Sequence, residues 1–305
     1  MDDKQSSLQR RIQSGQRLLL AEISPPPTAD PAVVRDLARA YAGKVHALGV
    51  SDNRERVSLS ALAAATLVAG EGVEPILHLV TRDRNRIALV SEALGAQALG
   101  IRNLLCTSGS HQTLGPFRAA KNVFDLDPVQ LLQLYRGLAG DATAVGEKQL
   151  AGVGPFCLGG TAAPYADPLE LQIMRLSKKV AAGAQFLITQ PVFDLERFST
   201  WWDEIVRRKL HEKVAIVAGI QPLSDAQMAE DLTPQRRQTP IPADALGRVK
   251  SAGDGAAQRA AGIALAVETI QRLTRFQGLR GFQICADGDP QAALEIIDKS
   301  ALGTD

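Results

Sequence analysis

Cysteine is scarce. The chain has three in 305 residues, Cys106, Cys157 and Cys285, far apart and with no C-x-x-C pair. Each lies in or beside an apolar run, which points to buried thiols in a reducing compartment rather than a disulfide framework. The four histidines form no His-x-x-x-His pattern, so no metal site is expected. Charge of one sign is also missing: 34 basic and 33 acidic residues leave a net charge of +1. Nothing in that balance favours nucleic acid or an anionic membrane surface as a partner. The opening stretch MDDKQSSLQRRIQSGQR is polar and has no apolar h-region, unlike a secretory signal. No apolar run approaches a membrane span. The expectation is a cytoplasmic protein.

Short apolar runs are present in number. They are LLLAEIS (Leu18–Ser24), HALGVS (His46–Ser51), PILHLVT (Pro75–Thr81), NLLCTSG (Asn103–Gly109), VGPFCLGG (Val153–Gly160), FLITQPV (Phe186–Val192), VAIVAGI (Val214–Ile220) and FQICADG (Phe282–Gly288). Most are continuous rather than alternating, as in parallel strands covered on both faces. Between them lie segments of helical period. PAVVRDLARAYAGKV puts Val33, Val34, Leu37, Ala40 and Tyr41 on one face. DPVQLLQLYRGLAG and DPLELQIMRLSKKVAAGA each begin with an acidic residue and a proline, which is helix-entry chemistry. No G-x-G-x-x-G follows the first run, which argues against an open dinucleotide-binding sheet. Eight strands alternating with helices predict an α/β fold, a single (β/α)8 TIM barrel over residues 1–305. A polar N-terminal segment 1–17 and an irregular excursion over residues 230–256 complete it.

In such a barrel, function sits at the C-terminal ends of the strands. Those ends are polar here: Glu22, Ser51, His78, Thr107 to His111, Gly159, Gln190, Gln221 and Asp287. Glu22 lies inside an apolar run. Burial would raise its pKa and suit it to general acid work, or it pairs with an arginine or lysine of the barrel. His78 is bracketed by leucines, either a core histidine or a ligand contact. Arg175, Lys178 and Lys179 share one helix, a solvated cationic face or a grip on phosphate.

Three blocks in this order resemble the methylenetetrahydrofolate reductase family over about Leu18 to Asp289. They are AEISPPP, the long block EPILHLVTRDRNRIALVSEALGAQALGIRNLLCTSG, and KKVAAGAQFLITQPVFD. The family's fold is a (β/α)8 barrel. Its reaction passes hydride from NADH or NADPH to FAD, and then to 5,10-methylenetetrahydrofolate. The resemblance implies that Glu22 is the acid that protonates the folate ring and that Gln190 binds the pterin, with Gln221 also on the folate side. Ser51 and His78 match flavin contacts, and Lys179, with Arg175 and Lys178 nearby, matches a lysine at the FAD diphosphate. The rest of the flavin would lie along the loops after strands 4 and 5, at Thr107, Ser108, Gly109, Ser110, Cys157 and Gly159.

This chain departs from the pattern in two places. Ser110 stands where the family usually has an aspartate after Gly109, and Ala226 stands at about the place of a phenylalanine that packs on folate. The implied function is a reductase interconverting 5,10-methylenetetrahydrofolate and 5-methyltetrahydrofolate, with an altered flavin site, and the family's members are commonly oligomers, which makes a homo-oligomer the expectation. Two alternatives remain open. One is a flavin-free folate enzyme, by direct hydride transfer from a nicotinamide or by methyl transfer. The other is a non-catalytic scaffold subunit.

Overall fold

The computed structural model describes residues 5–303 except 55, 115–116, 140–149, 151, 226, 229–239 and 286–288. Eight parallel strands close into a barrel in chain order: β1 (Leu18–Ile23), β2 (Ala47–Val50), β3 (Pro75–Val80), β4 (Asn103–Thr107), β5 (Cys157–Ala162), β6 (Phe186–Pro191), β7 (Ala215–Ile220) and β8 (Gly281–Cys285). Helices α1 (Ser7–Gln13), α2 (Pro31–Tyr41), α3 (Ala61–Gly70), α4 (Arg86–Ala98), α5 (Pro128–Leu138), α6 (Leu169–Ala182), α7 (Leu195–Arg207), α8 (Ala243–Lys250), α9 (Gly255–Leu273) and α10 (Pro290–Lys299) accompany them. The barrel is the one expected.

The two-residue period of a strand sorts its side chains. Along β1, Leu18 and Leu20 join an apolar cluster inside the barrel, with Ile76, Leu105, Phe186 and Val217. Leu19, Ala21 and Ile23 join the larger cluster between sheet and helices. Both faces are therefore apolar, which is why the strands read as continuous runs. The same period carries Glu22 to the inner face.

Helix starts follow capping chemistry. Asp30, Asn85, Asp194, Asp254 and Asp289 each accept a backbone N–H of the first turn of the helix they precede. Asp127 forms a reciprocal capping box with Gln130 before α5. The Asp167–Pro168 pair works differently from expectation: Pro168 precedes α6 without a side-chain cap, and Asp167 instead pairs with Arg197.

Two segments differ from the sequence expectation. Residues 7–13 of the polar N-terminal segment form α1, and Leu8 is fully buried beneath the interior cluster. One apolar side chain per turn was too little to show as an amphipathic pattern. Within the excursion at 230–256, residues 243–250 are helical as α8, and Val249 packs with Leu223. Its stretch 230–239 lies outside the described residues.

Candidate functional site

The inner end of β1 places Glu22 at the C-terminal mouth. Its register partners are Gly49 on β2 and Cys285 on β8. The carboxylate is 8% exposed and well coordinated. Arg54 Nη1 donates to Oε1 at 2.8 Å, and Gln283 Nε2 donates to Oε2 at 2.7 Å. Cys285 Sγ stands 3.5 Å from Oε2. Burial alone therefore does not describe Glu22, because a guanidinium lies against it. Of the two readings open from the sequence, the arginine-paired carboxylate is the geometry of this structure.

His78 reaches the same place from β3. Its Nε2 leans over Gly49, where a Cβ would stand only 2.9 Å away. That nitrogen is buried and has no hydrogen-bond partner among the described residues. Burial pushes the imidazole below its ordinary value of 6.5; Glu22 and Asp52 oppose this and Arg54 adds to it. His78 is therefore neutral near pH 7. Asp52, at the end of β2, is buried, accepts the Val80 N–H and pairs with Arg84. Ser51 is buried beside it and donates to Ser24 Oγ at 3.1 Å.

The loop after β4 is shaped by Arg82. Its guanidinium binds both oxygens of Asp83 and donates to the carbonyls of Ser110 and Asn53, each at 2.9 Å. Loops after β2 and β4 are thereby tied together. Gly109 has φ +75°, a region that favours glycine, and a Cβ there would press on Val80 at 3.2 Å. Thr107 is half-buried at the end of β4, while Ser108 and Ser110 are exposed.

On β6 the register slips between Ile188 and Pro191. Such an irregularity re-aims a side chain, and half-buried Gln190 lies within it. Thr189 holds the distortion: its hydroxyl donates to the Gln190 carbonyl and accepts the Gly219 N–H. Gln221, just past β7, is buried at the same end of the barrel. Ala226 and Asp287 lie outside the described residues.

Two residues expected at a cofactor are placed elsewhere. Cys157 is the first residue of β5, in register with Asn103, and belongs to the interior apolar cluster at the end away from the mouth. Burial pushes its thiol up, so it is an inert core group. Gly159 serves packing: a Cβ there would overlap the Phe186 ring at 2.1 Å. On α6, Arg175 and Lys178 are exposed. Lys179 runs up to the end of β5, where Nζ donates to the Thr161 carbonyl at 2.5 Å. Desolvation pushes this ammonium down to about 8.

Sequence reasoning missed Arg54, Gln283 and the place of Cys285. For Gln283 a signal existed: it is two residues from Cys285, so both share the inward face with Glu22 across the β1–β8 pair. Arg54 sits in the charged loop DNRER, where no periodicity indicates direction. Among the described residues no cluster of three or more His, Cys, Asp or Glu could hold a metal ion. No described helix is long and apolar enough to cross a membrane.

Comparison with known proteins adds a family. A sequence model of methylenetetrahydrofolate reductase matches residues 7–301. A probable methylenetetrahydrofolate reductase (NADPH) of Caenorhabditis elegans is 27% identical over 173 residues, 56% of this chain and 24% of its own length. Methylenetetrahydrofolate reductase 2 of Saccharomyces cerevisiae is 29% identical over 172 residues, 54% of this chain and 26% of its own length. The chain thus matches about a quarter of the length of these relatives. Among solved structures, an uncharacterized protein from Clostridium thermocellum, which binds two copies of 5-methyl-5,6,7,8-tetrahydrofolic acid, has a TM-score of 0.68 at 13% identity, covering 97% of this chain and 99% of that one. The coenzyme F420 dependent tetrahydromethanopterin reductase of Methanopyrus kandleri has a TM-score of 0.57 at 13% identity, covering 93% and 98%. At that identity the likeness is one of fold.

Proposed function

The chain belongs to the methylenetetrahydrofolate reductase family, and from that premise we propose that it interconverts 5,10-methylenetetrahydrofolate and 5-methyltetrahydrofolate, using a reduced nicotinamide as the hydride source. The observation that carries this reading is Glu22: an inward carboxylate at the barrel mouth, held on one oxygen by Gln283 and on the other by Arg54. Opening the methylene bridge of the folate needs a proton at a ring nitrogen, and Glu22 is the buried carboxyl placed to give it. Gln190, turned by the β6 irregularity, offers an amide that can both donate and accept toward a pterin edge. Gln221 extends the same amide surface. The folate-binding neighbour of like fold supports a tetrahydrofolate derivative as substrate.

The family's cofactor is FAD, and the residues fit its anionic part. Arg175 and Lys178 are exposed on α6, Lys179 brings a cation to the end of β5, and Ser108 and Ser110 lie exposed on the loop after β4. These groups would hold the diphosphate, and His78 offers a buried, unpartnered nitrogen toward the ring. When bound, FAD would relay hydride from nicotinamide to folate. Ser110 supplies no charge to that ring, so its potential would differ from that of relatives with an aspartate there.

A second reading is favoured by one observation: Lys179 already spends its ammonium on the Thr161 carbonyl. In that reading the barrel keeps folate chemistry without flavin, by direct hydride or methyl transfer. Anaerobic turnover of methylenetetrahydrofolate with NADH and NADPH, with and without added FAD, tests both. Flavin-dependent turnover supports the first reading. Turnover or methyl transfer without flavin supports the second. Absence of every folate reaction, and of folate binding, would overturn both and leave a scaffold role.

A further inference from the structure

We infer that Arg54 is a positioning residue that governs when Glu22 can deliver a proton, covering the oxygen that must carry it and withdrawing when substrate arrives. This rests on the reading of Glu22 as the acid of the site.

The two carboxylate oxygens have unlike partners. Oε2 faces Gln283, which is 2% exposed and fixed in β8, with Cys285 behind it. Oε1 faces Arg54, whose side chain is 27% exposed against 9% for that of Glu22. The cation therefore enters from the solvent side. Its backbone belongs to the loop after β2, in which Asn53 has φ +45° and the described residues form neither helix nor strand before α3. Glu22, in contrast, sits in a strand paired on both edges. If one partner of this ion pair moves, it is Arg54.

A carboxyl group that donates needs its proton on an oxygen free of competing N–H donors. The Gln283 amide occupies Oε2, so the proton belongs on Oε1, the oxygen under the guanidinium. An arginine beside a carboxylate favours the charged form, and taking the arginine away favours the acid. Withdrawal of Arg54 thus removes the guanidinium from Oε1 and favours its protonation in one movement.

Among the described residues, four further side chains face Glu22 from the elements around it. From β3 comes His78, neutral near pH 7. From the end of β2 comes Asp52, whose charge is met by Arg84. From β8 comes the Cys285 thiol. From β1 itself the neighbouring inward residue is Leu20.

Infrared difference titration of the full chain reads this directly. The protonated-carboxyl band of Glu22 is identified by its loss in Glu22→Gln. In Arg54→Gln the band is expected to persist to higher pH than in wild type, with proton affinity raised about tenfold or more. Arg54→Lys, which keeps the charge, should stay near wild type. Saturating 5-methyltetrahydrofolate should move the wild-type midpoint toward that of Arg54→Gln and move the variant much less. If turnover is present, the alkaline limb of its kcat/KM profile should shift to higher pH in Arg54→Gln. Arg54→Met substitutes if Arg54→Gln does not fold. Equal midpoints in wild type and the uncharged variant would overturn the proposal, as would a wild-type midpoint indifferent to bound folate. If 5-methyltetrahydrofolate does not bind, the folate reading fails, while the ligand-free midpoints still decide whether Arg54 controls Glu22.

Discussion

At the residue scale the site consists of a few buried groups with assigned partners. Glu22 keeps its place through Gln283 and Arg54, and in the proposed reaction its role depends on a removable proton. Glu22→Gln preserves the shape of the side chain but turns one of its two accepting oxygens into a donor that faces another N–H, and it cannot deliver that proton. It should lower methylenetetrahydrofolate turnover by about a hundredfold or more, with 5-methyltetrahydrofolate affinity changed only a few-fold, as checked by steady-state assay and calorimetric titration. Lys179 makes a second prediction. In the folded protein it loses its proton at about 8, against an ordinary lysine value of 10.5. Between those values the unfolded chain holds the extra proton, so this lysine's effect on stability becomes more favourable as pH rises. Below about 8 the cost of burying the charge is present in full. Denaturant titrations of wild type and Lys179→Met at pH 7 and pH 10 should therefore show the balance shifting toward wild type by on the order of 3 kcal/mol as pH rises.

At the element scale, the strands were legible in the sequence because a parallel barrel buries both faces, and continuous apolar runs report that burial. Glu22 stood out for the same reason, as a charge inside such a run. Cys157 and Gly159 lie within β5 rather than on the loop after it, because a run shows that a strand exists but not where along it the mouth begins. Cys157 opens β5 rather than closing it. Gly159 answers to a bulky neighbour on the next strand, Phe186, which no local pattern reveals. Gly159→Ala should accordingly destabilise the barrel by about 1–3 kcal/mol through overpacking against that ring, seen as a lower Tm. Arg54 was hidden for another reason: loop direction depends on tertiary contacts, and only the folded chain brings residue 54 back onto residue 22.

At the scale of the whole molecule, the barrel has two unlike ends. The mouth is polar and carries the candidate chemistry. The other end is closed by α1, which a polar composition concealed. Ser6 caps α1 and donates to Asn103, while Glu74 accepts the backbone N–H groups of Ser7 and Leu8 and the Asn103 amide. Leu8 then plugs the interior cluster. Arg280 holds the far end of the same helix through the carbonyls of Ile12 and Gln16. Leu8→Ala should cost about 3 kcal/mol, within the range for a fully buried leucine, measured by urea denaturation. Because the plug is far from the mouth, folate affinity should be unchanged where the variant is folded.

The proposed function is that of a folate reductase barrel whose flavin site is altered at Ser110 rather than abandoned. The most direct test is the visible absorption spectrum of the purified protein, taken anaerobically after FAD is added and the excess removed. Bound flavin bands that bleach with NADH or NADPH and return on adding 5,10-methylenetetrahydrofolate are expected. A colourless protein that does not retain FAD would contradict it.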